Sequence, residues 1–258
     1  MKKILQTALE IFTDYGALKG LITWPKFSIT SYKMLTELRR QDLTFGVIID
    51  VGANVGQFAI AATKVFPNAQ IYSFEPQSKC CAQLRTNVKN SPNIEVFDYA
   101  LGSESKPLSL NINRYSHSSS FLETTEAHDN AFPNTKEVGI EEVRVERLDK
   151  IASSIQFQSP CLLKLDVQGF ELAVIEGAKN VLDNIDYVIL EASFKPLYEG
   201  EKLFLDLVLE MSRIGYRLLR PIGFLRDPLT AEILQADVLF ARDSMGPECS
   251  DKLTRPDR

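Results

Sequence analysis

The chain has 258 residues, 45% of them hydrophobic and 24% charged, with a formal net charge of −5. That length suits one α/β domain with additions at its ends, and the composition is that of a globular protein rather than a disordered one. The acidic balance excludes an overall basic footprint for nucleic acid, and no run is long and apolar enough for a transmembrane helix.

Residues 1–40 carry two helical patterns, interrupted at Gly16, Gly20 and Trp24-Pro25. The first, MKKILQTALEIFTDYG, begins basic and apolar, but Gln6, Glu10 and Asp14 recur within it. It reads as an amphipathic helix, not a secretory leader. Either it packs on the domain as a cap, or it serves as a lid or a homodimer contact. Val47-Ile48-Ile49-Asp50 is a short apolar run ending in an acid, as in a buried parallel strand. A helix follows from Gln57 to Phe66, then a strand from Ile71 to Phe74 ending at Glu75-Pro76. Ser78 to Lys89 is a helix and Ile94 to Tyr99 a third strand. This β-α-β-α-β order belongs to a doubly wound sheet with right-handed crossovers.

Residues 102–150 break the alternation. Leu108 to Ile112 and Val143 to Leu148 alternate in polarity around a Ser/His loop at 116–120, so a small β insertion is expected. The parallel pattern resumes with Leu162 to Asp166, a helix from Phe170 to Asp183, a strand from Tyr187 to Leu190 ending at Glu191, and a helix from Leu203 to Ile214. Tyr216 to Arg220 and Asp237 to Ala241 are joined by a loop without a helix, so they should pair antiparallel. A seven-stranded, mostly parallel sheet ending in an antiparallel hairpin is the class I, Rossmann-like methyltransferase fold, here with an N-terminal helical extension. The expected organisation is a helical cap at 1–40, the ligand-binding domain at 41–243, and a flexible polar tail at 244–258.

The segment Asp50-Val51-Gly52-Ala53-Asn54-Val55-Gly56 leaves the first strand and opens a helix. Glycines there permit a tight turn and let the backbone approach a ligand. A dinucleotide loop requires G-x-G-x-x-G, but counting from Gly52 its next two glycine positions hold Asn54 and Gln57. The pattern acid-x-G-x-G-x-G fits better, with Asn54 for one glycine; asparagine tolerates left-handed backbone well. The Asp50 carboxylate would repel a pyrophosphate and attract the ammonium of a methionine moiety, which favours S-adenosylmethionine over NAD; alternatively it caps the turn. Glu75, ending the second strand beside Pro76, suits the two ribose hydroxyls of either cofactor. Ala100 is placed near an adenine ring, with Asp98 or the Ala100 backbone at its polar edge.

DVGANVGQF at 50–58, FEP at 74–76, ALG at 100–102, KLDVQGFE at 164–171 and Glu191 together resemble the FkbM-type S-adenosylmethionine-dependent methyltransferases. The resemblance runs from about Val47 to Ala241. It implies that 50–56 is the cofactor loop and that FEP carries the ribose acid. It also implies O-methylation, often of sugars or natural products. The glutamate of the KxDVEGxE pattern is replaced here by Gln168.

In an open α/β sheet, ligands lie beyond the carboxyl ends of the strands. Asp166 and Glu191 stand there as candidates for general base, acceptor-orienting group or metal ligand. Asp166 could instead cap the next helix, and Glu191 could pair with Lys195. Asp166 is also counted with the candidate cofactor contacts. His117, in the insertion loop, is a further candidate base, since an unperturbed imidazole titrates near pH ~6.5. Glu171 is assigned to the helix dipole, and Lys164 to neutralising Asp166 or Glu191. Tyr115, Phe194, Tyr198 and Trp24-Pro25 are candidate acceptor contacts. With two histidines and four cysteines, none spaced C-x-x-C, no metal is expected. The cysteine usage and missing leader suggest a cytoplasmic protein. A non-catalytic S-adenosylmethionine-binding module and a nicotinamide-dependent oxidoreductase remain as alternatives.

Overall fold

A computed structural model describes residues 15–243, apart from positions 25, 115, 134 and 136. The amphipathic segment at 1–14 and the tail at 244–258 lie outside the described residues. Two helices, α1 (Tyr15–Thr23) and α2 (Ile29–Arg40), precede the sheet. Gly16 and Gly20 lie inside α1, and the break comes at 24–28, where the Ser28 hydroxyl caps α2 by accepting from the Ser31 amide. The main elements follow as β1 (Val47–Val51), α3 (Gln57–Val65), β2 (Gln70–Phe74), α4 (Ser78–Val88) and β3 (Ile94–Phe97). The insertion holds β4 (Ala100–Leu101), β5 (Pro107–Asn113), a 3-10 turn at Ser116–Ser118, α5 (Glu126–Ala131) and β6 (Glu137–Glu146). Then come α6 (Leu148–Ile151), β7 (Cys161–Leu165), α7 (Glu171–Gly177), β8 (Tyr187–Ser193), α8 (Phe204–Arg213), β9 (Tyr216–Arg226) and β10 (Ile233–Arg242).

The seven-stranded sheet has the order β3-β2-β1-β7-β8-β10-β9. Its first five strands run parallel, and β10 pairs antiparallel with both β8 and β9. This is the class I methyltransferase architecture. The chain order reverses between β1 and β7, which places a crevice beyond their carboxyl ends. A second sheet, β4-β6-β5, stands beside it.

Side-chain alternation makes three layers. Val47, Ile49 and Val51 of β1 join Leu163, Leu165, Val188 and Leu190 in a core with α7 and α8. Ile48, Leu162 and Ile189 face the other way, into a core with α2 and α3. The helix expected from Phe170 to Asp183 stops at Gly177. A Cβ there would lie 1.9 Å from the Gly102 carbonyl oxygen, so only glycine fits where the last helical turn meets the chain at Gly102. The hairpin strands are longer than their apolar runs suggest, because the β9–β10 ladder extends to Ile233 and Arg226.

Candidate active site

The loop after β1 turns through three left-handed residues: Gly52 at φ +77°, Asn54 at +49° and Gly56 at +94°. Asparagine occupies the left-handed position expected of it. Gly52 is required by packing as well, since a Cβ would sit 1.9 Å from the Asp166 carbonyl oxygen. The Gly52 and Ala53 amides both donate to the Phe74 carbonyl at 3.0 Å, which pins the loop to the end of β2.

Glu75 stands beside it, 7% exposed. Its Oε2 accepts from the Asn54 amide at 2.7 Å and its Oε1 from the Gln77 amide at 2.8 Å. Each carboxylate oxygen keeps a lone pair for another donor. Burial pushes its pKa up to about 7, against the two amides, which lower it. The cleft here is lined by Gly52, Asn54, Glu75, Pro76, Ala100 and Leu101, with Leu110, Ser116 and Phe121 from the insertion opposite. A carboxylate with free lone pairs beside a slot of Pro76, Ala100, Leu101 and Phe121 fits a nucleoside: hydroxyls on the acid, a flat base between apolar walls. The Ser116 hydroxyl exchanges hydrogen bonds with the Asn54 side chain at 3.0 and 3.1 Å, tying the insertion to the loop.

Four of the expected cofactor contacts, Asp50, Ala53, Gly56 and Asp98, do not line the cleft. Asp50 is fully buried under the loop, with Lys164 Nζ 3.2 Å from Oδ1 and no hydrogen-bond partner for Oδ2. Burial pushes its carboxyl pKa up, against Lys164, the cation that faces it in this fold and lowers it. Burial works to lower the Lys164 pKa, but Asp50 and Asp166 more than offset it and hold the ammonium charged. Asp98 turns outward and pairs with Arg85 at 3.0 Å. Ala53 and Gly56 shape the loop without lining the cleft.

Asp166 follows β7 and lines both this cleft and an adjoining cavity walled by Glu191, Gln235, His128, Phe132 and Leu197. His117 and Gln168 also border both. Asp166 Oδ1 accepts from Gln168 Nε2 at 2.9 Å, Oδ2 lies 3.4 Å from Lys164 Nζ, and the side chain is 39% exposed. Glu191 Oε2 accepts from Gln168 at 2.8 Å and from Gln235 at 3.0 Å. Burial first, then Asp166 and Asp237, push the Glu191 pKa well above the ordinary range. Lys195 pairs with Glu232, not with Glu191. The task of closing the turn before α7 falls to Glu171, not Asp166: it accepts from the Val167 and Gly169 amides at 3.3 and 3.2 Å. His117 Nε2 lies 3.0 Å from Gln57 Nε2 on an exposed turn.

Of the aromatic candidates, Trp24 packs edge-on to Phe27 and Tyr32, and Phe194 stacks on Phe204. Neither lines the two cavities. Tyr198 is buried, and its hydroxyl donates to Gln168 at 2.5 Å. Tyr115 lies outside the described residues. Sequence reasoning missed Phe121 and Gln235 and gave Ser116 no role of its own; only the expected Ser/His loop at 116–120 hinted at the residues near His117, whereas Leu101 lies in the ALG segment at 100–102. Among the described residues no three metal-binding side chains cluster, and no helix is long and apolar enough to cross a membrane.

Residues 50–218 match the family model described as the methyltransferase FkbM domain. The chain is 28% identical over 171 residues to the 2-O-methyltransferase NoeI of Sinorhizobium fredii, covering 63% of this chain and 70% of NoeI. It is 27% identical over 161 residues to the hexuronic acid methyltransferase AglP of Haloferax volcanii, covering 62% of this chain and 59% of AglP. Among solved structures, the fibrillarin/Nop5p complex aligns with 83% of this chain and 83% of its own at 12% identity and a TM-score of 0.49.

Proposed function

The chain belongs to the FkbM domain family of S-adenosylmethionine-dependent methyltransferases, and on that premise we propose that it methylates a hydroxyl of a sugar or small natural product, with Asp166 taking the hydroxyl proton. The observation that carries this reading is the junction at Asp166, where the nucleoside-shaped cleft meets a second, polar-walled cavity. S-adenosylmethionine supplies an activated methyl group, so what remains for the protein is to hold an acceptor oxygen in line and accept its proton.

Glu75 receives the ribose hydroxyls, and Pro76, Ala100, Leu101 and Phe121 enclose the base. The left-handed loop at 52–56 brings its backbone against the remainder of the cofactor. Asp166 is the better base of the two carboxylates: it is part exposed at the junction, whereas Glu191 is held towards its neutral form by burial. His117 is the alternative base, on an exposed turn but bordering the same junction. Two acids in the wall favour a neutral hydroxyl over an anionic acceptor group. Phe132, Pro133, Pro228 and Leu229 continue the acceptor cavity outward as an apolar surface, suited to a nonpolar portion of the acceptor. The relatives' names, a 2-O-methyltransferase and a hexuronic acid methyltransferase, support oxygen on a sugar as the target.

The test is transfer of label from methyl-labelled S-adenosylmethionine to a panel of neutral glycosides and hydroxylated natural products. Alkali-stable label in product, lost in Asp166→Asn, is expected of an ether formed at a hydroxyl. Intact S-adenosylhomocysteine binding with no transfer to any acceptor would instead identify a non-catalytic cofactor-binding module.

A further inference from the structure

Gln168 occupies the position where the resembled pattern carries glutamate, and its backbone is left-handed at φ +54°. Its amide is fully engaged. The two Nε2 hydrogens go to carboxylates from different strand ends, Asp166 Oδ1 at 2.9 Å and Glu191 Oε2 at 2.8 Å. Its Oε1 accepts from the Tyr198 hydroxyl at 2.5 Å. Beyond Glu191 the bonds continue. Gln235 Nε2 donates to Glu191 at 3.0 Å and to Ser193 Oγ at 3.2 Å, and Ser193 donates to Glu201 Oε2 at 2.8 Å. Glu201 Oε1 then accepts from the Tyr198 amide at 2.9 Å, which closes a ring. Each donor hydrogen in it has its own acceptor, so the amide at 168 has one orientation available. The turn beneath is fixed too, because the Ser120 hydroxyl donates to the Gln168 carbonyl at 2.6 Å.

We propose that Gln168 is a positioning residue whose amide ties Asp166 to this ring and so presents its carboxylate to the junction of the two cavities. The role rests on the reading of Asp166 as proton acceptor. A carboxyl at 168 could not perform it. Ionised, it has no hydrogen for either neighbour and adds a third negative charge. Protonated, it has one hydrogen for two carboxylates. The titratable groups packed around it are Lys164 and Asp166 at β7, Glu171 on α7, Glu191 on β8, Tyr198 and Glu201 in the loop after β8, Asp237 on β10, His128 on α5 and His117 on the 3-10 turn. Of these, Lys164 alone carries a fixed positive charge, and Asp50 and Asp166 already engage it.

The test needs no acceptor. Wild type and Gln168→Glu are melted across a pH series, and carboxyl-labelled protein is followed by carbon NMR, with Asp166 and Glu191 assigned by Asp166→Asn and Glu191→Gln. The melting-temperature gap of Gln168→Glu is expected to be roughly twice as large at about pH 8.5 as at about pH 5.5, since the proton that lets it donate is lost on the way up. The Asp166 and Glu191 resonances should both move. Tyr198→Phe removes the hydroxyl that orients the amide while keeping the ring packed, and it should move the Asp166 resonance in a chain that folds normally. A pH-independent gap together with an unmoved Asp166 resonance in both variants overturns the proposal. Titration of the same wild-type sample with S-adenosylhomocysteine separates the two readings: no binding there would defeat the cofactor assignment and leave the ring result standing.

Discussion

Replacing Glu75 by glutamine keeps the outline of the β2 end but removes the charge at the nucleoside end of the cleft. The native carboxylate accepts two backbone amides, at 2.7 and 2.8 Å, and burial raises its pKa from 4.5 to about 7. Because the folded value lies above the unfolded one, the native chain binds this proton more tightly. Stability from this group is fully present below about pH 4.5 and lost as the pH rises through about 7. Cofactor binding has the opposite slope, since ribose hydroxyls donate best to the ionised form. The ionised fraction is about 9% at pH ~6 and about 91% at pH ~8, so S-adenosylmethionine affinity should rise about tenfold between them. A hydrogen bond to a charged group contributes ~1.5–3 kcal/mol, so Glu75→Gln should weaken binding at pH ~8 by about 10- to 150-fold. Its pH dependence should also flatten. Equilibrium dialysis with labelled S-adenosylmethionine reads both effects. A variant that binds like wild type would refute the ribose assignment; a wild-type affinity that is level from pH ~6 to pH ~8 would mean that the Glu75 carboxyl is ionised throughout that range.

Asp166→Asn should slow methyl transfer by roughly 10²–10⁴-fold while leaving cofactor affinity within a few-fold, and His117→Ala should slow it by less than about tenfold. The reverse ranking in initial-rate assays would move the base to His117. Lys164→Met leaves the fully buried Asp50 without its cation, and urea unfolding should show a loss of about 3–5 kcal/mol; a loss below ~1 kcal/mol would mean that Asp50 is neutral in the native chain.

The parallel strands and their helices were legible because each strand is a short apolar run and each helix repeats at its own period. Asn54 could be assigned left-handed geometry from its residue type and its place between two glycines. Glu75 could be placed because the acid at the end of a second strand faces the crevice. Asp50 shows where such reasoning stops. Its position beside the loop was correct, but its partner Lys164 lies far along the chain on a neighbouring strand, and only the parallel register of β1 and β7 brings them side by side. Asp98 was drawn outward by Arg85, a pairing across a helix and a strand end. The ring through Gln168 was invisible for a related reason. Its members come from β8, β10, the turn after β7 and the loop after β8, and no local period links them. The need for glycine at 177, where the backbone packs on Gly102, is a tertiary requirement that helical spacing does not contain.

The central claim is that this cleft is built for S-adenosylmethionine and not for a dinucleotide. Calorimetric titration of the purified chain with S-adenosylhomocysteine, and with NADH in parallel, tests it most directly. One-to-one binding of S-adenosylhomocysteine with no heat from NADH is the predicted result. Binding of NADH alone would contradict it.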